Sequence, residues 1–274
     1  MPEGDILRRT AATLDRALTG AVVVRTELRW PTAAGTVFDG RTVLGTHAYG
    51  KHLFTRFDDG RTLHTHLRMD GYWRTHPTGS RAAQARDPFV RAVLGTAAWT
   101  AVGHHLGMLD VVPTSREHTL VAHLGPDVLA DDFPLVGLPE ALARVAARGA
   151  TPIAEVLLDQ EVAAGIGTIY MAESLFARRV WPWTPADRTD AATLYMVART
   201  LMQRSVAAPT PTATGETTRG RGSRVHGRAG RPCPRCGTAV AVGTARRPPT
   251  ERPVFWCPTC QAAPAAGAGP GRDG

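Results

Sequence analysis

Cys233-Pro234-Arg235-Cys236 and, twenty residues further on, Cys257-Pro258-Thr259-Cys260 hold all four cysteines of this 274-residue chain. Two Cys-x2-Cys knuckles at that spacing suit one tetrahedral Zn²⁺ gripped by four thiolates on a β-hairpin, and no other cysteine competes for the pairing. Paired knuckles in an otherwise cysteine-free chain point to a reducing compartment and against a disulfide framework. The loop between them, Ala245 to Pro253, carries Arg246, Arg247 and Arg252 and no apolar anchor. The metal is therefore read as stiffening a finger that presents positive charge; the plainer alternative is a scaffold zinc beneath a solvated loop.

Composition bounds the rest. Apolar residues make up 43% of the chain, enough for real cores, and no run approaches the ~18 apolar residues of a membrane span. The start, Met1-Pro2-Glu3-Gly4-Asp5, has acid where a secretory signal carries lysine or arginine, so a cytosolic protein is expected. The formal charge of +8 favours a polyanionic partner. Of the 32 basic side chains only Lys51 is lysine. Arginine holds its proton at any working pH, whereas a lysine of depressed pKa exchanges one near neutrality, which singles out Lys51 for a chemical role.

Pro2 follows the initiator methionine, and a small second residue permits that methionine's removal. The exposed α-amine of proline, with a reference pKa of about 8, is a ready nucleophile that forms Schiff bases with carbonyl carbons. Glu3 stands beside it to donate or accept protons. Leu7, Ala11, Leu14 and Leu18 recur at helical spacing before Gly20, so a helix over Asp5–Leu18 is predicted to anchor the first residues.

From residue 21 to about 112 the pattern predicts seven short strands: Ala21–Arg29, Thr42–Tyr49, His52–Phe57, Thr62–Leu67, Phe89–Leu94, Ala97–Gly103 and Met108–Val112. Asp58-Asp59-Gly60 is a hairpin turn between two of them. The predicted class is α+β: a β-sandwich domain with an N-terminal helix over 1–124, a linker over 125–138 rich in Gly, Pro and Asp, a helical domain over 139–225, the zinc ribbon over 226–262, and a disordered tail over 263–274. The helical domain reads as Pro139–Ala147, Thr151–Ala164 with Thr151 as N-cap, Thr168–Arg178 and Asp190–Val206. Gly165-Ile166-Gly167 breaks the second helix and is read as turning backbone N–H groups outward at the start of the third, a phosphate site; a plain packing turn is the alternative. Residues 207–231 lack periodicity and are read as mobile in the absence of a partner.

Together these pieces resemble the Fpg/Nei family of bifunctional DNA glycosylases, from Pro2 to about Gln261. The resemblance is carried by the Met-Pro-Glu-Gly start, Gly50-Lys51-His52-Leu53, His66-Leu67-Arg68-Met69-Asp70-Gly71, Leu157-Leu158-Asp159-Gln160 with Gly165-Ile166-Gly167, Gly227-Arg228-Ala229-Gly230 and Arg252-Pro253. The Pro-Glu-Gly opening is closer to the Nei (endonuclease VIII) branch. The resemblance implies a helix-two-turns-helix fold for the helical domain, one structural Zn²⁺ on Cys233, Cys236, Cys257 and Cys260, and damaged DNA as partner of a monomer in the bacterial cytosol. It implies that Pro2 attacks C1′ of a damaged nucleotide, that Glu3 assists ring opening as general acid, and that β,δ-elimination cuts the strand. Lys51 would contact phosphate and assist proton transfer, and Arg252 would clamp phosphates flanking an extruded base. Met69 would be the wedge that fills the vacated stack, or else a cap on the sandwich edge. Arg68, Gly165, Gly167, Thr168 and Arg228 complete the implied DNA-binding set.

Departures from the family pattern bear on these implications. Thr168 stands where the family often has asparagine, and Ile6 replaces a glutamate usual near the start. Val102-Gly103-His104-His105-Leu106-Gly107 occupies the place of an Arg-Lys-Phe-Gly type loop. His64, His66, His104 and His105 are read as satisfied histidines on a half-buried sheet rather than a second metal site. A non-catalytic zinc-dependent protein recognising damaged or branched DNA remains the rival reading. A basic RNA-binding protein fits less well, because stacking aromatics are scarce.

Overall fold

The computed structural model describes residues 2–218, 220–246 and 250–264. The chain divides into two compact units, residues 1–123 and 124–274. Most of the predicted tail and the Arg247-Pro248-Pro249 tip of the finger lie outside the described residues.

In the first unit helix α1 spans Gly4–Leu18, with Glu3 as N-cap in extended conformation (φ −116°, ψ −178°). Leu7, Ala11, Leu14 and Leu18 are all buried on one face, each leucine contributing about 1.5–3 kcal/mol relative to an exposed one. Asp15 Oδ1 accepts the backbone N–H of Thr46 at 3.0 Å, tying the helix to the sheet beneath it. Eight strands follow: β1 Val23–Leu28, β2 Val43–Tyr49, β3 His52–Phe57, β4 Arg61–His66, β5 Tyr72–Pro77, β6 Val90–Thr96, β7 Trp99–His104 and β8 Met108–Pro113. They form two four-stranded antiparallel sheets, in the orders β1-β6-β7-β5 and β2-β3-β4-β8. Alternation puts Leu53, Phe57, Leu63 and Leu109 into the shared core with α1, where Phe38 and Phe57 stack at 3.8 Å.

Sequence reasoning missed β5. Three of its six residues are exposed and three half-buried, so it carries no clear apolar alternation and is fixed by pairing with β7 and by Trp73 packing on the core.

The second unit contains α2 Leu138–Ala146, α3 Ile153–Leu157, α4 Thr168–Arg178, α5 Ala191–Ala207 and a hairpin of β9 Ala241–Ala245 with β10 Arg252–Trp256. Three expectations need correction. Residues 125–138 contribute to the core and are no separate linker: Val128 and Phe133 are fully buried, although Leu135 and Val136 are exposed, and Arg199 donates to the carbonyls of Val128 and Ala130. Their Gly, Pro and Asp content makes turns inside the unit. The predicted helix over Thr151–Ala164 stops after Leu157, because Asp159 Oδ1 captures the N–H of Glu161 at 3.0 Å. Thr151 does not cap it; its hydroxyl donates to the Arg148 carbonyl, and Pro152 takes the N-cap place.

The third correction concerns 207–231, which follows a hydrogen-bonded path in its described part. The buried Glu173 carboxylate on α4 accepts the N–H groups of Arg224, Val225 and His226 at 2.8, 2.9 and 2.9 Å. Burial pushes its pKa up while these three donors pull it back. No helix among the described residues is long and apolar enough to cross a membrane.

Candidate functional site

The predicted site residues of the first unit lie at the start of α1, in the β2–β3 turn and on the β4–β5 connection between the two sheets. Pro2 is half-buried and Glu3 fully buried; the Glu3 carbonyl accepts the N–H of Ile6 at 2.9 Å and of Leu7 at 3.2 Å, so the helix fixes the backbone right behind Pro2. Lys51 sits in the two-residue turn joining β2 to β3, across which Tyr49 pairs with His52. Gly50 takes φ +54° there, a value the first position of such a turn reserves for glycine.

Arg68 and Met69 lie on the β4–β5 connection. Met69 is 61% exposed, a large apolar side chain held out into solvent. Arg68 adopts φ +55°, and its N–H donates to Nδ1 of His66 at 2.8 Å. The N–H of Gly71 closes the loop on the Leu67 carbonyl at 2.9 Å. A Cβ at Gly71 would come within 2.4 Å of that carbonyl oxygen, and one at Gly107 within 2.1 Å of Arg68 Cγ. Both glycines are therefore needed for this loop to close as it does.

Around these elements lies a set of imidazoles. Burial lowers the pKa of His52 to about 3, with further push from His66, His64, His123 and Arg68. Burial, Arg68 and Lys51 lower that of His66 to about 4. Lys51 and Arg68 thus bear on the same histidine from two connections. Next to the β4–β5 loop, on the other sheet, His104 stacks on Tyr72 at 4.8 Å and His105 on Phe89 at 4.4 Å, and the Arg74 guanidinium lies over Tyr72. Tyr72 and Phe89 are both exposed.

In the second unit, Gln160 is the organiser of the Gly165-Ile166-Gly167 turn. Its Oε1 accepts the Gly165 N–H at 3.1 Å and its Nε2 donates to the Leu158 and Ile166 carbonyls. The Gly165 N–H is therefore turned to Gln160 and is no outward donor, contrary to expectation. Gly165 takes φ +111°, and Gly167 is the N-cap of α4. Thr168 opens that helix, 6% exposed, with Oγ1 3.3 Å from Nε2 of His226. The Arg228 guanidinium donates to the carbonyls of Gly220 and Pro232, bracing the approach to the first knuckle. Arg252 is exposed at the start of β10. The sequence singled out neither Glu173 nor His226; the spacing of Gln160 ahead of the Gly-Ile-Gly turn was a usable signal for its clamp.

The four cysteine sulfurs lie within 4.8 Å of one another. Cys236–Cys257 is 3.4 Å and Cys233–Cys260 4.0 Å, close to the edge of about 3.8 Å expected for a tetrahedron of metal–sulfur bonds near 2.3 Å. Backbone N–H groups of Arg235 and Cys260 point at the sulfurs of Cys233 and Cys257, and Thr238 and Thr259 join the two knuckles at 2.8 Å. The donor set fits one tetrahedral metal ion. Gln261 accepts the Cys257 N–H and donates to the Val180 carbonyl, and Trp183 packs on Gly243 and edge-on against Trp256, so the hairpin is anchored to the helices.

Residues 1–110 match the formamidopyrimidine-DNA glycosylase N-terminal domain, and residues 124–215 the H2TH domain of the same enzymes. The chain belongs to the formamidopyrimidine-DNA glycosylase family. It is 44% identical over 280 residues to a probable endonuclease 8 2 of Streptomyces coelicolor, covering 100% of this chain and 98% of that one. It is 38% identical to the DNA-(apurinic or apyrimidinic site) lyase Nei2 of Mycolicibacterium smegmatis, covering 96% and 100%. Identity to the formamidopyrimidine-DNA glycosylase of Paracoccus denitrificans is 33%, in line with the endonuclease VIII branch. The Thermus thermophilus MutM (Fpg) crystal structure superposes with a TM-score of 0.74 at 28% identity, covering 95% and 98%. The Lactococcus lactis enzyme bound to DNA with an AP site superposes at 0.79 with 20% identity, covering 95% and 100%, a likeness of fold.

Proposed function

We propose that this chain is a base-excision-repair enzyme, a DNA glycosylase with AP-lyase activity whose substrates are oxidised bases, chiefly pyrimidines. The carrying observation is the Pro2-Glu3 start of α1, held by a buried N-cap in a chain of this family. With Met1 removed, the Pro2 nitrogen attacks C1′ of the lesion nucleotide and the base leaves. Glu3 gives the proton that opens the sugar ring, and the product is an iminium between Pro2 and the opened sugar. Loss of the 2′ proton expels the 3′ phosphate, and a second elimination expels the 5′ phosphate.

Lys51 holds phosphate and moves protons during these steps. Met69, exposed on its closed loop, enters the stack where the lesion leaves it. Arg68, Arg252, Gly167, Thr168 and Arg228 contribute to the grip on the backbone, and Gly165, whose N–H is held by Gln160, only shapes the turn before Gly167; for Arg228 the support is indirect, through the segment it braces. Zn²⁺ on Cys233, Cys236, Cys257 and Cys260 holds the finger that carries Arg252, and its role is structural. The enzyme works as a monomer in the bacterial cytosol, on damaged DNA.

Borohydride reduction during reaction with an oligonucleotide bearing an abasic site or an oxidised thymine tests this reading. A covalent protein–DNA band is expected and Pro2→Gly should abolish it. A band undiminished in that variant refutes the assignment of the nucleophile. DNA binding without any strand cleavage would favour the non-catalytic rival.

A further inference from the structure

Strand alternation sets His52 and Phe54 of β3, His64 and His66 of β4 and Asp110 of β8 on the face of their sheet opposite the sandwich core. The register pairs His52 with His66, Phe54 with His64, and His64 with Asp110. Nδ1 of His64 lies 3.3 Å from Oδ2 of Asp110, and Nε2 of His64 lies 2.8 Å from Nδ1 of His52. The two rings are within 12° of parallel with centroids 5.1 Å apart, which is compatible with an in-plane N–H···N bond. His52 then meets His66 edge-on, at 87° with centroids 4.9 Å apart.

Donor and acceptor chemistry orders this chain. The Asp110 carboxylate only accepts, so neutral His64 carries its proton on Nδ1 and presents a bare Nε2. His52 must donate to that nitrogen, so its proton also sits on Nδ1. His66 accepts from the Arg68 N–H at Nδ1 and so carries its proton on Nε2. The low pKa values of His52 and His66 keep these rings neutral at working pH, with a single tautomer each. Were His52 to carry its proton on Nε2 instead, two bare nitrogens would face each other at 2.8 Å. The ring would then turn and the edge-on contact with His66 would be lost.

We propose that Asp110, His64 and His52 form a tautomer relay that positions His66 and, through its bond to the Arg68 N–H, the loop presenting Met69. The three are positioning residues acting through His66, and the functional consequence rests on the role given to that loop under Proposed function.

Long-range ¹H–¹⁵N correlation of the histidine rings in the full-length, metal-loaded protein reads the relay directly. The expected pattern is a proton on Nδ1 alone for His64 and His52 and on Nε2 alone for His66. Asp110→Asn keeps an acceptor oxygen and should keep this pattern, with single-turnover cleavage of a duplex lesion within about twofold of wild type. Asp110→Leu removes the acceptor; it should scramble the His64 tautomer and slow cleavage roughly tenfold, the scale of one lost hydrogen bond. The relay is overturned by a wild-type His52 protonated on Nε2, by an Asp110→Leu protein with unchanged tautomers and rate, or by Asp110→Asn falling as far as Asp110→Leu. The ring spectra need no DNA, so an inactive wild-type protein showing the expected pattern would contradict the enzymatic reading and leave the relay standing.

Discussion

Replacing Glu173 by alanine should release the segment that leads from the helices to the metal ribbon. Its two oxygens accept three backbone N–H groups, Arg224 on one and Val225 and His226 on the other. Hydrogen bonds to a charged acceptor contribute about 1.5–3 kcal/mol each, and a buried donor left without one costs about 1–3 kcal/mol. Val225 is fully buried, so water cannot serve its N–H, whereas Arg224 and His226 are partly open and recover part of the loss. The expected destabilisation is therefore about 3–5 kcal/mol for Glu173→Ala. Glu173→Gln keeps the oxygen shared by Val225 and His226 but sets an amide N–H against that of Arg224, for about 1–2 kcal/mol. Urea unfolding reads the stability, and limited trypsin digestion reads the local effect, since Arg221, Arg224 and Arg228 lie in the segment, none followed by proline. New cleavage confined to these arginines in Glu173→Ala is the predicted result. Unchanged digestion with a stability loss below about 0.5 kcal/mol would refute the anchoring role.

Acid should weaken the first unit between pH 6.5 and 5. His52 and His66 sit far below their ordinary pKa of 6.5 in the fold, so the unfolded chain takes up protons first. Stability is then complete above about pH 6.5 and falls below it by up to ~1.4 kcal/mol per pH unit for each histidine; denaturant midpoints that stay flat from pH 7 to 5 would contradict this. Gly71→Ala drives a methyl into the Leu67 carbonyl, so a cost of about 1–3 kcal/mol and a loss of duplex-lesion cleavage are expected. A variant with wild-type activity would show that the loop tolerates another closure. Removing the metal with a chelator, or Cys257→Ser, should abolish stoichiometric metal by elemental analysis and weaken DNA binding in gel-shift titrations. Full binding after verified metal loss would rule out the finger's contribution.

Much of this architecture was legible because local chemistry and global fold agree. Leu7, Ala11, Leu14 and Leu18 announce α1 by period alone, and the Cys-x2-Cys pairs announce the ribbon by ligand count. What stayed hidden depends on pairing. β5 has a half-exposed, mixed pattern and is fixed by pairing with β7. Val128 and Phe133 sit among turn-forming residues that mask their burial. Helix α3 ends early because Asp159 takes a backbone N–H that propensity assigns to the helix. The Asp110–His64–His52 chain requires the β3–β4–β8 register, which no single strand reveals. Glu173 looks like one more helical glutamate until the path of residues 224–226 is known.

The most direct test of the account is peptide mass spectrometry of the borohydride-reduced DNA adduct. Trypsin should yield the peptide Pro2–Arg8, starting at Pro2 and carrying the reduced sugar remnant on its N-terminal nitrogen. An adduct mapped to Lys51 or any other residue, or active enzyme with Met1 still attached to Pro2, would contradict it.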